Sequence, residues 1–223
     1  MKKTIQLSAL AISLLVLIAS CKKDTPINTT NDGTYKIYTI GKITTVQNVA
    51  ADTIIGFSSL GQPIGSGSYT LFSLETGKKI ANSDSATTKW DIGLRGTTII
   101  TNNGTSGPGN GGGFVYVGLF DDLNSVPVDS TIYVDAAPTS YAIRTGSNKG
   151  WYSYDGPNNL INPIAGRVLV IKTATGKYAK VEILNYYKGG ETLPASASDD
   201  DKISKQRYFT FRYTYQGNGT TTF

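Results

Sequence analysis

The thiol of Cys21 is the only soft, nucleophilic side chain that this sequence offers. The 223 residues include one Cys, one Met, which is Met1, and no His. Zinc and copper sites of the usual kind need imidazole or thiolate ligands, and Ser-His-Asp and Cys-His catalysis need an imidazole base. No carboxylate pair or Ser-Lys pair stands out either, so we predict that the protein is not an enzyme.

Cys21 ends a segment with the layout of a secretory signal. Lys2 and Lys3 give a positive start, residues 9–18 are largely apolar, and the small pair Ala19-Ser20 precedes the cysteine. The apolar run is shorter than the roughly 20 residues that a membrane-spanning helix needs. A cysteine at the cleavage point resembles a bacterial lipobox. We therefore predict a lipoprotein signal peptide over residues 1–20 and lipidation of Cys21, which anchors the protein to a membrane.

The residues after Cys21 suggest where the anchored protein lies. Lys22 follows the cysteine, and this resembles lipoproteins that pass to the outer membrane and, in some bacteria, to the cell surface. Residues 21–33 are mostly polar and are predicted to form a flexible tether, with a single domain over residues 34–223. The net charge is +5, two of the cations precede the cleavage point, and no long run of like charge occurs. Nucleic acid is therefore not expected as a partner.

Two short motifs point to binding chemistry that their surroundings do not support. Gly107-x-Gly109-x-x-Gly112 matches the dinucleotide fingerprint, but that site needs a helix after the last glycine, and a β-rich run follows here. We predict a mobile surface loop at this place. The run 199–201 is three consecutive aspartates, which do not have the spacing of a calcium loop, and we predict a solvated loop.

Most of the remaining chain has the pattern of antiparallel strands. β-Branched and aromatic residues dominate short runs that Gly, Asn, Asp and Pro separate, and no long window has helical periodicity. In the last run, Phe209, Phe211, Tyr213 and Tyr215 share one face, which predicts a strand with one buried face and one wet face. Lys180 and Glu182 are predicted on the wet face of the preceding strand. The fold class is all-β, a single-domain antiparallel sandwich or flattened barrel.

The adjacent residues Trp90 and Asp91 could suggest a catalytic pair, but structural roles explain them better. Trp90 is predicted to anchor the core, and Asp91 is predicted to hydrogen-bond a nearby turn.

Several segments, taken in order behind the lipobox, resemble one known family. They are Trp90-Asp91-Ile92-Gly93-Leu94, the Gly-rich loop after Asn102, Gly150-Trp151-Tyr152-Ser153-Tyr154-Asp155, the run Ile161-x-Pro163-x-x-Gly166-Arg167, the run Thr173-x-x-Gly176-Lys177-Tyr178, and Arg207-Tyr208-Phe209-Thr210-Phe211-Arg212-Tyr213. Together they resemble the HmuY family of outer-membrane lipoproteins, over about residues 35–215. The resemblance implies an HmuY-like all-β fold and non-catalytic binding of haem, taken from haem-carrying proteins and passed to a TonB-dependent receptor.

The family holds haem iron through axial His or Met side chains, and the predicted mature chain has neither. The resemblance puts Asn159 nearest to a place where the family often has His. If haem binds, Tyr152 or Tyr154 is the candidate iron ligand, because tyrosine is a known axial ligand. The alternative is that water meets the iron and that stacking and apolar contacts hold the ring. The other candidate contacts are Trp151 for stacking on the porphyrin, Arg144 and Lys149 for its propionates, and Tyr141, which lies shortly before them.

Two functions therefore remain open at this point. The first is haem or porphyrin binding with a ligand other than His or Met. The alternative is a surface lipoprotein that keeps the HmuY scaffold but has lost haem binding, and serves as a binding or accessory module for another ligand or receptor.

Overall fold

A computed structural model describes the backbone of residues 27–31 and all of residues 34–223. The predicted signal peptide, Cys21 and the other residues before Ile27 lie outside this range. Strand β1 (Ile27–Asn31) falls within the segment predicted as a tether, and its backbone pairs with the first strand of the domain.

The described residues are mostly strand, with one short helix. In chain order the elements after β1 are β2 (Tyr35–Ile40), β3 (Ile43–Ala50), β4 (Ile54–Phe57), β5 (Pro63–Gly65), β6 (Thr70–Ser73), β7 (Lys78–Ile80), β8 (Ile92–Arg95), β9 (Thr98–Thr101), β10 (Gly112–Val117), β11 (Tyr152–Asp155), β12 (Leu160–Pro163), β13 (Arg167–Lys172), β14 (Tyr178–Tyr187), α1 (Asp199–Lys205) and β15 (Gln206–Gln216). Single 3₁₀ turns lie at Asn82–Asp84 and Lys188–Gly190.

The strands form two large antiparallel sheets and two small hairpins. The larger sheet has the order β1-β2-β3-β15-β14-β13-β10, and the smaller has the order β7-β6-β8-β9. The hairpins are β4–β5 and β11–β12. All these pairs are antiparallel and the sheets do not close on themselves, so the predicted all-β antiparallel class is confirmed in its open, sandwich-like form. Of the described residues, none form a helix long and apolar enough to span a membrane.

The main core lies between the faces of the two large sheets. Phe209, Phe211 and Tyr213 of β15 are buried on one face, as their alternation predicted. Phe72 of the smaller sheet meets Phe211 edge-on, with 5.4 Å between ring centroids. Trp90 is fully buried in a neighbouring cluster with Leu71 and Ile100, which confirms its predicted structural role.

The opposite face of the larger sheet, predicted to be wet, is partly covered, and this prediction was wrong at Lys180. Its ammonium group donates to the backbone carbonyls of Phe120 (2.7 Å) and Leu123 (2.9 Å) and lies over the Phe120 ring. The Lys180 side chain is only 7% exposed. Residues 120–126 and the C-terminal Phe223 form a second apolar layer there, which alternation within one strand does not reveal.

Two loops also differ from the sequence-based predictions. The Gly-rich loop is not a loose surface segment, because it wraps around the buried amide of Asn102. That amide donates to the carbonyl of Trp90 and accepts from the N–H of Gly109. The aspartates at 199–201 form the first turn of α1 rather than a loop. Ser198 caps this helix by accepting from the N–H of Asp201, and acidic side chains are favourable at a helix N-terminus.

Asp91 joins the two large sheets through backbone hydrogen bonds. Its carboxylate accepts from the N–H of Leu74 (2.8 Å), which follows β6, and from the N–H of Ala174 (3.0 Å), in the β13–β14 turn. The predicted role for Asp91 at a turn is confirmed. Asp135 likewise accepts two backbone bonds of 2.8 Å, from the N–H groups of Thr101 in β9 and of Ala142 in the loop before β11.

Asp91→Asn is expected to destabilise the fold and to change its pH dependence. The amide keeps one acceptor and turns an NH₂ group toward a buried N–H donor, which costs about 1–3 kcal/mol. Burial, the largest cause, raises the pKa of Asp91, against the lowering effect of its backbone hydrogen bonds. The folded protein therefore binds this proton more readily than the unfolded chain. Hence Asp91 makes the free energy of unfolding fall as the pH rises from about 3.9 through the raised pKa.

Urea unfolding at several pH values between 4 and 7 measures both effects. The Asp91→Asn variant should show lower stability and a flatter pH dependence than the wild type. The exposed Asp122→Asn variant is the control and should leave both unchanged. An identical pH slope in wild type and Asp91→Asn would contradict the assigned role of the buried carboxylate.

Candidate functional site

Three of the candidate residues, Tyr152, Tyr154 and Asn159, lie in the β11–β12 hairpin, and a fourth, Trp151, directly precedes it. Tyr152 pairs with Pro163 and Tyr154 pairs with Ile161 across the hairpin. Tyr152 and Tyr154 therefore lie on the same face of β11, as period-two alternation requires. The turn ends at Asn159, which has a φ of +51°, a conformation that asparagine tolerates better than most residues.

Two of these residues, Trp151 and Tyr152, belong to the core. The Trp151 indole is 1% exposed, donates to the carbonyl of Thr97 (3.0 Å), and has the rings of Tyr186 and Phe209 at 5.5 and 5.3 Å. The Tyr152 hydroxyl accepts from the Thr97 hydroxyl at 3.3 Å, and its side chain is 8% exposed. No face of Trp151 is open for stacking on a flat ligand in this arrangement.

Tyr154, by contrast, projects from the hairpin beside a cavity. Its side chain is 50% exposed, and its hydroxyl donates to the side-chain oxygen of Asn159 at 2.8 Å. The cavity has a volume of about 340 Å³. Besides Tyr154 and Asn159, its lining consists of Ile161, Asp199, Lys202, Ile203 and Gln206. We call it the hairpin cavity. It offers the phenol oxygen of Tyr154, the side-chain amides of Asn159 and Gln206, one carboxylate, one ammonium group and two apolar side chains.

The other candidates line a different surface. Arg144 and Lys149 are exposed and border a cavity of about 420 Å³ beside β10, together with Arg167. We call this the basic groove. An adjoining cavity of about 640 Å³ also contacts Arg144 and Lys149, and Tyr141 lines it. Tyr141 is half-buried against the cluster around Trp90. The structure therefore brings Tyr154 and Asn159 together but not with Arg144, Lys149 or Tyr141.

The loop that carries Arg144 and Lys149 also supports the hairpin. The Ser147 hydroxyl accepts from the N–H of Tyr154 at 2.9 Å, and the Asn148 N–H donates to the carbonyl of Tyr152 at 2.9 Å. These bonds fix the backbone of β11 from its open side. They leave the Tyr154 side chain to the hairpin cavity.

The helix α1 contributes the cavity residues that the sequence did not identify. Lys202, Ile203 and Gln206 lie on or just after this helix. The available signal was Ser198-x-x-Asp201, which resembles an N-terminal capping pattern. A helix of seven residues is too short for periodicity to detect it.

Two buried tyrosines behind the hairpin are unsuitable as iron ligands, because tyrosine binds iron as phenolate. Burial raises the pKa of both Tyr186 and Tyr187, which lie in the core behind the hairpin. These two phenols therefore resist deprotonation. Among residues 27–31 and 34–223, no three Cys, Asp or Glu side chains come close enough to hold a metal ion.

The family assignment follows from a match to the middle and later part of the sequence. The family described as HmuY protein matches residues 67–198, more than half of the chain. The chain belongs to the HmuY family. This confirms the resemblance read from the motifs, and HmuY is a family of binding proteins. The matched range contains the hairpin, the basic groove and the Gly-rich loop.

Solved structures offer more distant likenesses to this HmuY-family chain. A Bacteroides fragilis NCTC 9343 protein described as a lipoprotein is 15% identical, with a TM-score of 0.45, 78% of this chain covered and 91% of the other. An HmuY-like haem-binding protein of Bacteroides vulgatus ATCC 8482 is 15% identical, with a TM-score of 0.44 and coverage of 83% and 94%. The apo HmuY analogue of Tannerella forsythia is 15% identical, with a TM-score of 0.40 and coverage of 79% and 96%. No curated protein sequence matches the chain.

Trp151→Phe and Tyr154→Phe are expected to differ in their effect on the free energy of unfolding, because Trp151 is a core residue and Tyr154 a surface residue. Trp151→Phe loses the indole bond to Thr97 and part of a buried aromatic cluster, so it should lower the free energy of unfolding by about 1–3 kcal/mol. Tyr154→Phe removes a hydroxyl at an exposed site and should change stability by less than about 0.5 kcal/mol. Urea unfolding at pH 7 measures both. Equal losses in the two variants would mean that Tyr154 is a structural residue.

Proposed function

We propose that this HmuY-family protein binds haem or a related porphyrin at the hairpin cavity, with Tyr154 as the iron ligand. The observation that carries the proposal is the exposed Tyr154 hydroxyl, which opens onto a cavity that also has apolar walls. Tyr152 was the other candidate ligand. Its hydroxyl is bonded to Thr97 within the core, so the geometry favours Tyr154.

The chemistry of the donor set agrees with iron binding through oxygen. Tyrosine is an established axial ligand of haem iron, and no His is present to compete. Ligation requires the Tyr154 hydroxyl to lose its proton, which it donates to the side-chain oxygen of Asn159 in this structure. Rotation of the Asn159 amide would then direct its NH₂ group to the phenolate oxygen, which stabilises the charged form.

The walls of the hairpin cavity suit the flat, apolar part of a porphyrin. Ile161 and Ile203 offer apolar contact, and Gln206 offers a polar group for a carboxylate. Arg144 and Lys149, considered at first for the propionates, line the basic groove instead. We therefore do not include them in the proposed site.

Location and delivery complete the proposal. Lipidation of Cys21 would anchor the protein to the outer membrane and present the domain at the cell surface, where haem is acquired. The protein would take haem from a carrier and pass it to a TonB-dependent receptor, without any bond-making chemistry. The support for this step is the lipobox pattern and membership of the HmuY family.

Haem titration of the domain from residue 22 onward tests the site. The wild type should give a saturable, shifted Soret band with the high-spin character of a tyrosine ligand. Tyr154→Phe should weaken haem binding by at least about tenfold, because the only direct bond to iron is lost. Binding of metal-free protoporphyrin IX, followed by fluorescence, should change little in the same variant, since it has no iron to ligate.

Tyr133→Phe is the matched control for this titration. Tyr133 is 48% exposed but lines the basic groove, so its loss should leave both titrations unchanged. If Tyr154→Phe binds haem as well as the wild type does, Tyr154 is not the ligand. If the wild type shows no saturable Soret shift at micromolar haem, haem binding is lost in this chain and the accessory-module function is favoured.

Cys21→Ser tests the predicted anchor. The wild-type protein should incorporate labelled fatty acid and sediment with the outer membrane, because stable anchoring needs two or more acyl chains. The variant should incorporate no label and should leave the membrane fraction. Ser20→Ala keeps a small residue before the cysteine and should behave as the wild type. Membrane retention of the Cys21→Ser protein would contradict lipid anchoring.

A further inference from the structure

Strand β10 forms one edge of the larger sheet, and part of this edge is open. On its inner side β10 pairs only with β13. On its outer side, the N–H and C=O of Gly113 exchange hydrogen bonds with Tyr133, at 2.9 and 3.0 Å. This isolated bridge covers only the beginning of the strand. It also shows which residues of β10 direct their backbone groups outward.

The backbone groups of Val115 and Val117 point the same way as those of Gly113. In an antiparallel pair, the N–H and C=O of alternate residues face opposite edges. The N–H of Gly118 bonds inward to Gly166 at 3.0 Å, which confirms the alternation. Within the described part of the chain, no group bonds the outward N–H and C=O of Val115 or Val117. The Val117 side chain is 69% exposed, and that of Leu119 is 63% exposed.

The basic groove runs beside this open edge. Phe114 and Val115 of β10 form one wall, and the other side is lined by Asp129, Ser130, Thr131 and Tyr133. Its three cations, Arg144, Lys149 and Arg167, have no ion-pair or hydrogen-bond partner within the described residues. One carboxylate, that of Asp129, is also in the lining. The groove therefore presents unpaired positive charge next to unpaired backbone donors and acceptors.

We propose that an extended peptide with acidic side chains binds this groove by adding a strand to the outer edge of β10. The free backbone groups at Val115 and Val117 would supply the main-chain hydrogen bonds. This is a recognised mode of peptide capture by sheet edges. Carboxylates at alternate positions of the peptide would meet Arg144, Lys149 and Arg167. The peptide would belong to a partner protein, and this role goes beyond ligand binding at the hairpin cavity, which shares no lining residue with the basic groove.

A second copy of the chain is a less suitable occupant of the same edge. Pairing of β10 with β10 from another molecule would place two sets of three cations close together. Like charges across an interface oppose association. Charge complementarity thus favours an acidic partner strand.

The experiment uses a fluorescein-labelled peptide of alternating Glu and Val, and a charge-reversed peptide of alternating Lys and Val. Fluorescence anisotropy with the domain at low salt should show saturable binding of the acidic peptide only. Hydrogen exchange should show that the acidic peptide protects the N–H groups of Val115 and Val117. The N–H of Tyr116 already bonds to β13, so its exchange should change little.

Two variants separate strand addition from simple charge attraction. Val117→Pro removes the outward N–H at an edge position, where proline is tolerated, and should weaken acidic-peptide binding by about five- to tenfold. Val117→Thr keeps the N–H and the branched shape and should bind as the wild type does. Lys149→Glu should weaken the acidic peptide and strengthen the basic one.

The proposal is overturned if the peptide binds without protecting Val115 and Val117, because binding would then be electrostatic alone. Equal affinity for the two peptides would also overturn it. If sedimentation shows that the domain without peptide forms a dimer that Val117→Pro disrupts, the edge pairs with its own copy instead. The exchange measurement needs no variant, so the test stands even if the proline variant fails to fold.

Discussion

The carboxylate of Asp91 is the contact on which the arrangement of the two large sheets depends. A buried carboxylate is unfavourable unless its oxygens are hydrogen-bonded, and here each oxygen accepts a backbone N–H from a different sheet. The apolar core alone would allow the sheets to slide, because hydrophobic contact is not directional. Asp91 removes that freedom. Asp135 accepts from β9 and from the loop at Ala142, and thereby holds that loop, which lines the basic groove, against the smaller sheet.

The strands and the main core could be predicted from the sequence, because alternation along a strand records which face is buried. The aromatic face of β15 is the clearest case. The cover over the opposite face could not be predicted, because it depends on residues 120–126, more than fifty positions from Lys180 in sequence. Nothing within β14 distinguishes a lysine that reaches water from one whose ammonium group meets two carbonyls.

The stretch of sequence that carries the candidate site could be predicted, but which of its side chains face a cavity could not. The sequence placed the candidates within residues 141–159, and the structure divides them between the core, the hairpin cavity and the surface around the basic groove. Tyr152 and Tyr154 share a strand face, yet one hydroxyl bonds Thr97 inside the core and the other opens onto a cavity. The difference arises because the hairpin extends past the core between these two positions, and only tertiary packing determines where that happens. The same is true of α1, whose residues complete the cavity.

The absence of His, and of any Met after Met1, gives the proposed ligation a consequence for delivery. A phenolate is a hard, negatively charged donor, so it stabilises ferric iron more than ferrous iron, whereas the neutral thioether of Met favours the reduced metal. A site built on Tyr154 would therefore hold oxidised haem and weaken its hold when the iron is reduced or the phenolate is reprotonated. The Asn159 amide would influence how readily the phenolate is reprotonated, since its oxygen can accept from the phenol and its NH₂ group can donate to the phenolate. Release to a receptor would then need a change at one hydroxyl group and no rearrangement of the core.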